Sequence, residues 1–177
     1  MLYFISDLHF GHEFILRIRD GFKRIEYMNE YLIKNWNAKV TDHDEVYILG
    51  DFSFRSKKSV HRYLSRLKGK KHLIIGNHDD EWMKEVGDLS LYFESVSDLK
   101  ILQFEGQEIV LCHYPLLEWP GKSYMVHGHI HGNKNTLTYR LIKEHFPLML
   151  NACVEVNRYE PVTLNELLKN NEEWYER

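Results

Sequence analysis

The chain has 177 residues, 44% of them hydrophobic, with nine Phe, eleven Tyr and four Trp, enough for the packed core of one domain without disulfides or a structural metal. Lys and Arg number 23 against 26 Asp and Glu, a net charge of -3. This excludes a general nucleic-acid-binding surface, which needs a clustered basic excess, but leaves phosphate substrates open, because bound cations reverse a local field.

The apolar pattern sets the expected elements in chain order. Residues 2–6 read as a buried strand, and residues 25–36 as a helix with a stripe at Ile25, Met28, Leu32 and Trp36. A second strand covers 45–49 and ends at Gly50-Asp51. A helix over 56–67, capped by Ser56 and closed by Gly69, leads to a third strand over 72–75 that ends at Gly76-Asn77. A short helix follows over 81–86. Residues 97–104 and 107–112 flank Glu105-Gly106 as a hairpin. Further strands are expected at 124–126 and 148–156. Thr163-x-x-Glu166 forms a capping box, stapled by Val162 and Leu167, for a last helix over 164–170. Strand-helix alternation gives way to a strand-rich stretch, so the predicted fold is α/β with two sheets packed together and helices outside.

No apolar run reaches membrane-spanning length, and the N-terminal run at 2–5 is too short for a signal-peptide core. Cys112 and Cys153 sit inside apolar runs and read as buried thiols rather than a disulfide framework. A soluble cytoplasmic protein is the expectation. Nothing in the sequence sets an oligomeric state.

Histidine is the unusual component, with eleven copies, several clustered with Gly, Asn or Asp. Strand-like runs end in residues of metal-ligand type: Asp7 and His9, Asp51, Asn77 with His78 and Asp79, and His113. A further strand runs into His127-Gly128-His129-Ile130-His131. Open α/β architectures place sites just past the carboxyl ends of strands. Alternation at a strand end lets His129 and His131 reach one centre, and crowded imidazoles repel one another when protonated unless a metal holds them. Core packing alone gives no reason for so many such endings.

The five blocks Asp7-x-His9, Gly50-Asp51, Gly76-Asn77-His78-Asp79, His113 and Gly128-His129-x-His131 together resemble the calcineurin-like metallophosphoesterases, in particular the small bacterial and phage members. The resemblance implies a four-layer αββα sandwich with the site at one edge, and hydrolysis of phosphate mono- or diesters. It also implies two divalent transition-metal ions, with Asp7, His9 and His131 on the first, Asn77, His113 and His129 on the second, and Asp51 bridging. Mixed N and O ligands suit manganese, iron, zinc or nickel better than calcium, and manganese is the expected ion with iron, zinc or nickel as alternatives. Two such ions clamp an in-line displacement and lower the pKa of a bridging water towards about 7, making hydroxide the nucleophile. His78 would contact the phosphate. Asp79 would orient its ring or cap the next helix, and both roles stay open.

His12 lies near the first ligand pair, either reaching a substrate phosphate or serving as a plain helix residue. His127 either backs the ligands or merely ends its strand. The aromatic loop at 114–120 would form one wall of a pocket or pack as a surface loop. Arg17, Arg19, Lys23, Arg24 and Arg55 read as a solvated face from which one could meet a phosphate. His43, His61, His72 and His145 read as ordinary surface or core residues. The short chain favours a small phosphoester over a protein substrate, with no stable nucleic-acid or membrane partner. The competing reading, a catalytically inactive scaffold on the same fold, is disfavoured because every block is intact.

Overall fold

A computed structural model describes residues 1–176. Strands β1 (Leu2–Ile5), β2 (Glu45–Leu49), β3 (Lys70–Ile74) and β4 (Phe93–Ser97) form one sheet, all parallel, in that order. Parallel neighbours need crossover connections. Helices α1 (Ile25–Lys39), α2 (His61–Leu64) and α3 (Asp80–Val86) lie in the three crossovers. Strands β5 (Leu99–Phe104), β6 (Gln107–Cys112), β7 (Tyr124–His127) and β8 (Met149–Asn151) form the second sheet. There β5–β6 is the antiparallel hairpin read from the sequence, and the remaining pairs are parallel.

Alternation along the strands sorts the core into layers. Tyr3, Ile5, Val46, Ile48 and Leu73 face Met28, Leu32 and Trp36 of α1. Their neighbours Leu2, Phe4, Tyr47, Leu49 and Ile74 face the second sheet through Ile109, Leu111, Val126 and Leu150. The far side of that sheet (Val110, Met125, Met149) packs on Tyr139 and Ile142 of α4 (Leu137–His145) and on Tyr175 of α5 (Leu164–Tyr175). The result is the expected helix–sheet–sheet–helix order. The two sheets also meet along the chain, since β1 continues into a bridge between Ser6 and Cys153 and pairs with Val162 at Phe4.

Several elements differ from their sequence reading. The helix expected over 56–67 shrinks to four residues, because the Ser56 hydroxyl turns back on Lys58, donating to its carbonyl and accepting from its N–H, instead of capping. The strand expected over 148–156 stops at Asn151. Asn157 there donates to the carbonyls of Asn151 and Cys153 and curls the chain away. The strand expected over 97–104 begins only at Leu99, because Ser97 ends the unforeseen β4 (Phe93–Ser97) of the other sheet and Asp98 separates the two. Helix α4 was not foreseen; Thr136 caps it by accepting from Tyr139 N–H. The capping box of α5 is present with both reciprocal bonds, and the helix runs five residues further than expected. Cys112 and Cys153 are free and buried. Among the described residues no helix is long and apolar enough to cross a membrane.

Candidate metal centre

Five strands deliver the candidate ligands from their carboxyl ends: β1 (Asp7, His9), β2 (Asp51), β3 (Asn77), β6 (His113) and β7 (His129, His131). The strand-end loops are tied together by backbone bonds from Asp7 to Gly50 at 3.0 Å, His9 to Asp51 at 2.9 Å and Gly128 to His113 at 2.9 Å. Asp7, His9, Asp51, His129 and His131 all have left-handed backbone, with φ between 51° and 70°. Each such residue is strained by roughly 1 kcal/mol or more, and clustered strain of this kind marks a site whose surroundings hold it in place. Glycine is required where the loops touch: a Cβ on Gly128 would lie 2.5 Å from Asp7 Oδ2, and one on Gly76 2.6 Å from the Asp51 nitrogen.

The seven side chains converge. His9 Nε2 lies 4.0 Å from Asp7 Oδ1 and 3.6 Å from Asp51 Oδ2. His131 Nε2 lies 3.7 Å from Asp7 Oδ1, and His113 Nε2 lies 3.7 Å from Asp51 Oδ2. Two clusters emerge in which every ligand atom is within 4.8 Å of the others: Asp7–His9–His131 and Asp7–Asp51–His113. Asp7 thus approaches both halves, where the sequence reading had confined it to one. On the open side, Asn77 Oδ1 meets His113 Nε2 at 3.0 Å and His129 Nδ1 at 2.9 Å. Asp7, His9, Asp51 and His113 are buried while Asn77 and His129 are exposed, so the centre opens on the Asn77–His129 side.

The electrostatics fit a bound cation. Burial, reinforced by the Asp7 carboxylate, pushes the Asp51 carboxyl up to about 7. Burial, with His131 and Arg19 nearby, drives His9 well below its usual value, and both His9 ring nitrogens are buried without a hydrogen-bond partner. A pair of buried carboxylates beside an orphaned imidazole is costly by itself. A divalent ion satisfies both groups at once, and the mixed imidazole–carboxylate donors match a transition metal.

The surrounding residues sort themselves clearly. His78 stands beside the centre, outside both clusters. Its backbone N–H donates to Asp51 Oδ1 at 2.9 Å, and its ring lies on Phe54, with centroids 3.9 Å apart. Neither role expected for Asp79 is what the structure shows. The fully buried carboxylate accepts from Asp51 N–H, Phe52 N–H, Gly76 N–H and Trp82 Nε1–H, tying the β2 and β3 loops together, and it makes no side-chain cap on α3. His12 lies 5.5 Å from the His9 ring and 5.0 Å from Phe54. His127 is fully buried and bonds the Gly128 carbonyl; burial lowers it to about 4, so it backs the site as a neutral ring.

Of the loop at 114–120, Tyr114 reaches the site, 4.8 Å from the His129 ring, while Trp119 turns away onto Ser123 and Phe146. Cys153 donates to Asp7 Oδ2 at 2.9 Å, so this thiol supports a candidate ligand as well as the core.

Among the five cations read as a solvated face, Arg55 does lie near the mouth, 4.9 Å above Phe54, and Arg17 and Arg24 lie over Phe14 and Tyr27. Arg19 points inward instead, its side chain fully buried against Glu155. Sequence reasoning missed Glu155 too. Its signal was a lone acid between Val154 and Val156 in an apolar run; Arg19, set among other charges, offered none.

The calcineurin-like phosphoesterase superfamily domain profile matches residues 1–144. The chain belongs to that superfamily. An uncharacterized protein of Methanocaldococcus jannaschii is 32% identical over 181 residues, covering 95% of this chain and 89% of the relative. The gene 66 protein of Mycobacterium phage L5 is 31% identical over 159 residues, 73% of this chain and 76% of that protein. A crystal structure of a protein of unknown function from Aquifex aeolicus matches with a TM-score of 0.73 at 30% identity, covering 96% of this chain and 98% of that one. The phosphoesterase profile spans all seven candidate ligands and stops short of Glu155.

Proposed function

We propose that this chain is a hydrolase of small phosphate esters, mono- or diesters, working with two divalent transition-metal ions of which manganese fits best. The observation that carries the reading is the position of Asp51, whose Oδ2 lies 3.6 Å from His9 Nε2 and 3.7 Å from His113 Nε2. One carboxylate oxygen therefore stands between two groups of ligands. Asp7, His9 and His131 would complete one side, and Asn77, His113 and His129 the other. When bound, such ions polarise a phosphoryl oxygen and acidify an attacking water.

The chain's own groups then act on the ester. Burial lowers His78 below its usual value, so at pH 7 its ring is neutral and offers an N–H to a phosphoryl or leaving oxygen. Phe54 holds that ring in place. The exposed Asn77–His129 edge admits the phosphate. A cleft of about 480 Å³, lined by Ile18, Ile130, His131, Tyr159 and Trp174 among others, adjoins the centre at His131 and gives room for a small organic group. The intact ligand set and His78 support an enzyme over an inactive scaffold. The buried free thiols Cys112 and Cys153 support a reducing, cytoplasmic setting.

The test compares hydrolysis of nitrophenyl phosphate and bis-nitrophenyl phosphate with added Mn, Ni or Zn, using Asp51→Asn as control. Metal-dependent turnover that the variant lacks is expected. Equal and negligible turnover by both proteins with every metal would sink the proposal.

A further inference from the structure

Arg19 is a buried cation that touches one ligand-bearing loop directly and reaches a second through Glu155. Its Nη1 donates to the Leu8 carbonyl at 3.0 Å and its Nη2 donates to the Asp7 carbonyl, so the guanidinium holds the backbone between Asp7 and His9. Its Nε donates to Glu155 Oε1 at 2.8 Å, and that same oxygen lies 3.0 Å from His131 Nδ1. The His131 carbonyl is held separately, by Asn151 Nδ2 at 2.9 Å. Asp7, His9 and His131 are all in left-handed conformations, which persist only when their surroundings over-determine them. A planar guanidinium with donors in a fixed fork suits that task better than an ammonium group.

We infer that Arg19 and Glu155 are a positioning pair for the Asp7–His9–His131 half of the centre, with Glu155 accepting the Nδ1–H of His131 and so leaving Nε2 free as a ligand. The inference rests on the metal reading above and adds residues outside its ligand set.

Glu155 is an ionised acceptor. Its Oε1 takes the Arg19 Nε–H at 2.8 Å and faces His131 Nδ1 at 3.0 Å, so a buried guanidinium partners the carboxylate on one side and the imidazole meets it on the other. An acceptor-only carboxylate obliges Nδ1 to carry the proton, which selects the tautomer and aims the ring. The other half of the centre does not use this pair. His113 Nδ1 faces the Leu49 carbonyl at 2.8 Å, and His129 meets Asn77 directly. Losing Glu155 should therefore weaken one metal site selectively.

The experiment is calorimetric titration of the metal-free full chain with Mn, with Mn electron paramagnetic resonance to report whether the two ions are spin-coupled. Wild type is expected to show two binding events. Glu155→Ala is expected to weaken one by roughly 10–100-fold, leave the other within about twofold, and lose the coupled signal at low metal loading. Glu155→Gln, which keeps an acceptor oxygen and most of the volume, should recover part of the loss, and it carries the test if the alanine variant does not fold.

Two wild-type-like events in Glu155→Gln and Arg19→Lys overturn the inference. Equal weakening of both events, in step with a lower Tm, overturns it too, since that is the signature of general loosening. A wild type with fewer than two events overturns the dinuclear reading itself, and with it the selective effect.

Discussion

The backbone N–H of Asp51 donates to Asp79 Oδ2 at 2.9 Å, and that same oxygen accepts the Gly76 N–H at 2.7 Å. The carboxylate therefore fastens the loop carrying Asp51 to the loop carrying Asn77. Asp79→Ala would leave three backbone donors and the Trp82 indole N–H buried without an acceptor, a loss of about 3 kcal/mol or more. Denaturant unfolding measures this as a lower midpoint at unchanged slope. If Asp79 acts instead as a partner of the His78 ring, stability stays at the wild-type value and only turnover drops.

His78→Ala tests the group beside the candidate metal centre. Its ring belongs to neither ligand cluster, so bound metal should remain at the wild-type level while turnover falls by about 10²–10⁴-fold, the range for loss of a general acid or base. Elemental analysis of the purified variant decides the matter. Metal loss would place His78 among the ligands and overturn its assigned role.

Gly128→Ala probes how tightly the loops are packed. The added methyl would meet Asp7 Oδ2 at 2.5 Å and Ser6 Oγ at 2.7 Å. Overpacking of this kind costs about 1–3 kcal/mol, and here it displaces the carboxylate of the candidate ligand Asp7. Lower thermal stability together with weaker Mn binding is expected. Gly106→Ala, in the open β5–β6 turn where a Cβ meets nothing within 4 Å, should cost stability through its left-handed backbone alone and leave Mn affinity unchanged.

A pH effect is expected far from the centre. Asp44 is held down from 3.8 to about 2, first by the hydrogen bond from the amino terminus and then by the backbone and hydroxyl of Thr41. Because the folded value is depressed, its contribution to stability is complete above pH 4 and is lost as pH falls towards 2. Tm measured across that window should fall less steeply for Asp44→Asn than for wild type. Added salt should shrink the difference, because the amino terminus is largely exposed. Parallel Tm curves for the two proteins would refute the assignment.

How much of this was legible beforehand follows from the kind of signal each element carries. Strands β1, β2, β3, β6 and β7 announce themselves as apolar runs, and the hairpin and the α5 capping box have local chemistry that a few adjacent residues spell out. The helix expected from Ser56 failed because a hydroxyl that can cap can equally turn back on Lys58. Strand β8 was overextended because the apolar run beyond Asn151 is buried in a turn as well as it would be in a sheet. Helix α4 was missed although Thr136 caps it, since its apolar face emerges only against the second sheet.

The sequence by itself picked out the candidate ligands. Each of Asp7, His9, Asp51, Asn77, His113, His129 and His131 follows a readable strand, and within each sheet parallel strands gather their carboxyl ends on one side. Only the tertiary structure decided what stands behind those ligands. Arg19 and Glu155 are separated by 136 residues, and Asp79 looks like an ordinary start to a helix. A buried charge takes its role from the partner that folding brings to it, and distant partners of that kind leave no periodicity in the chain.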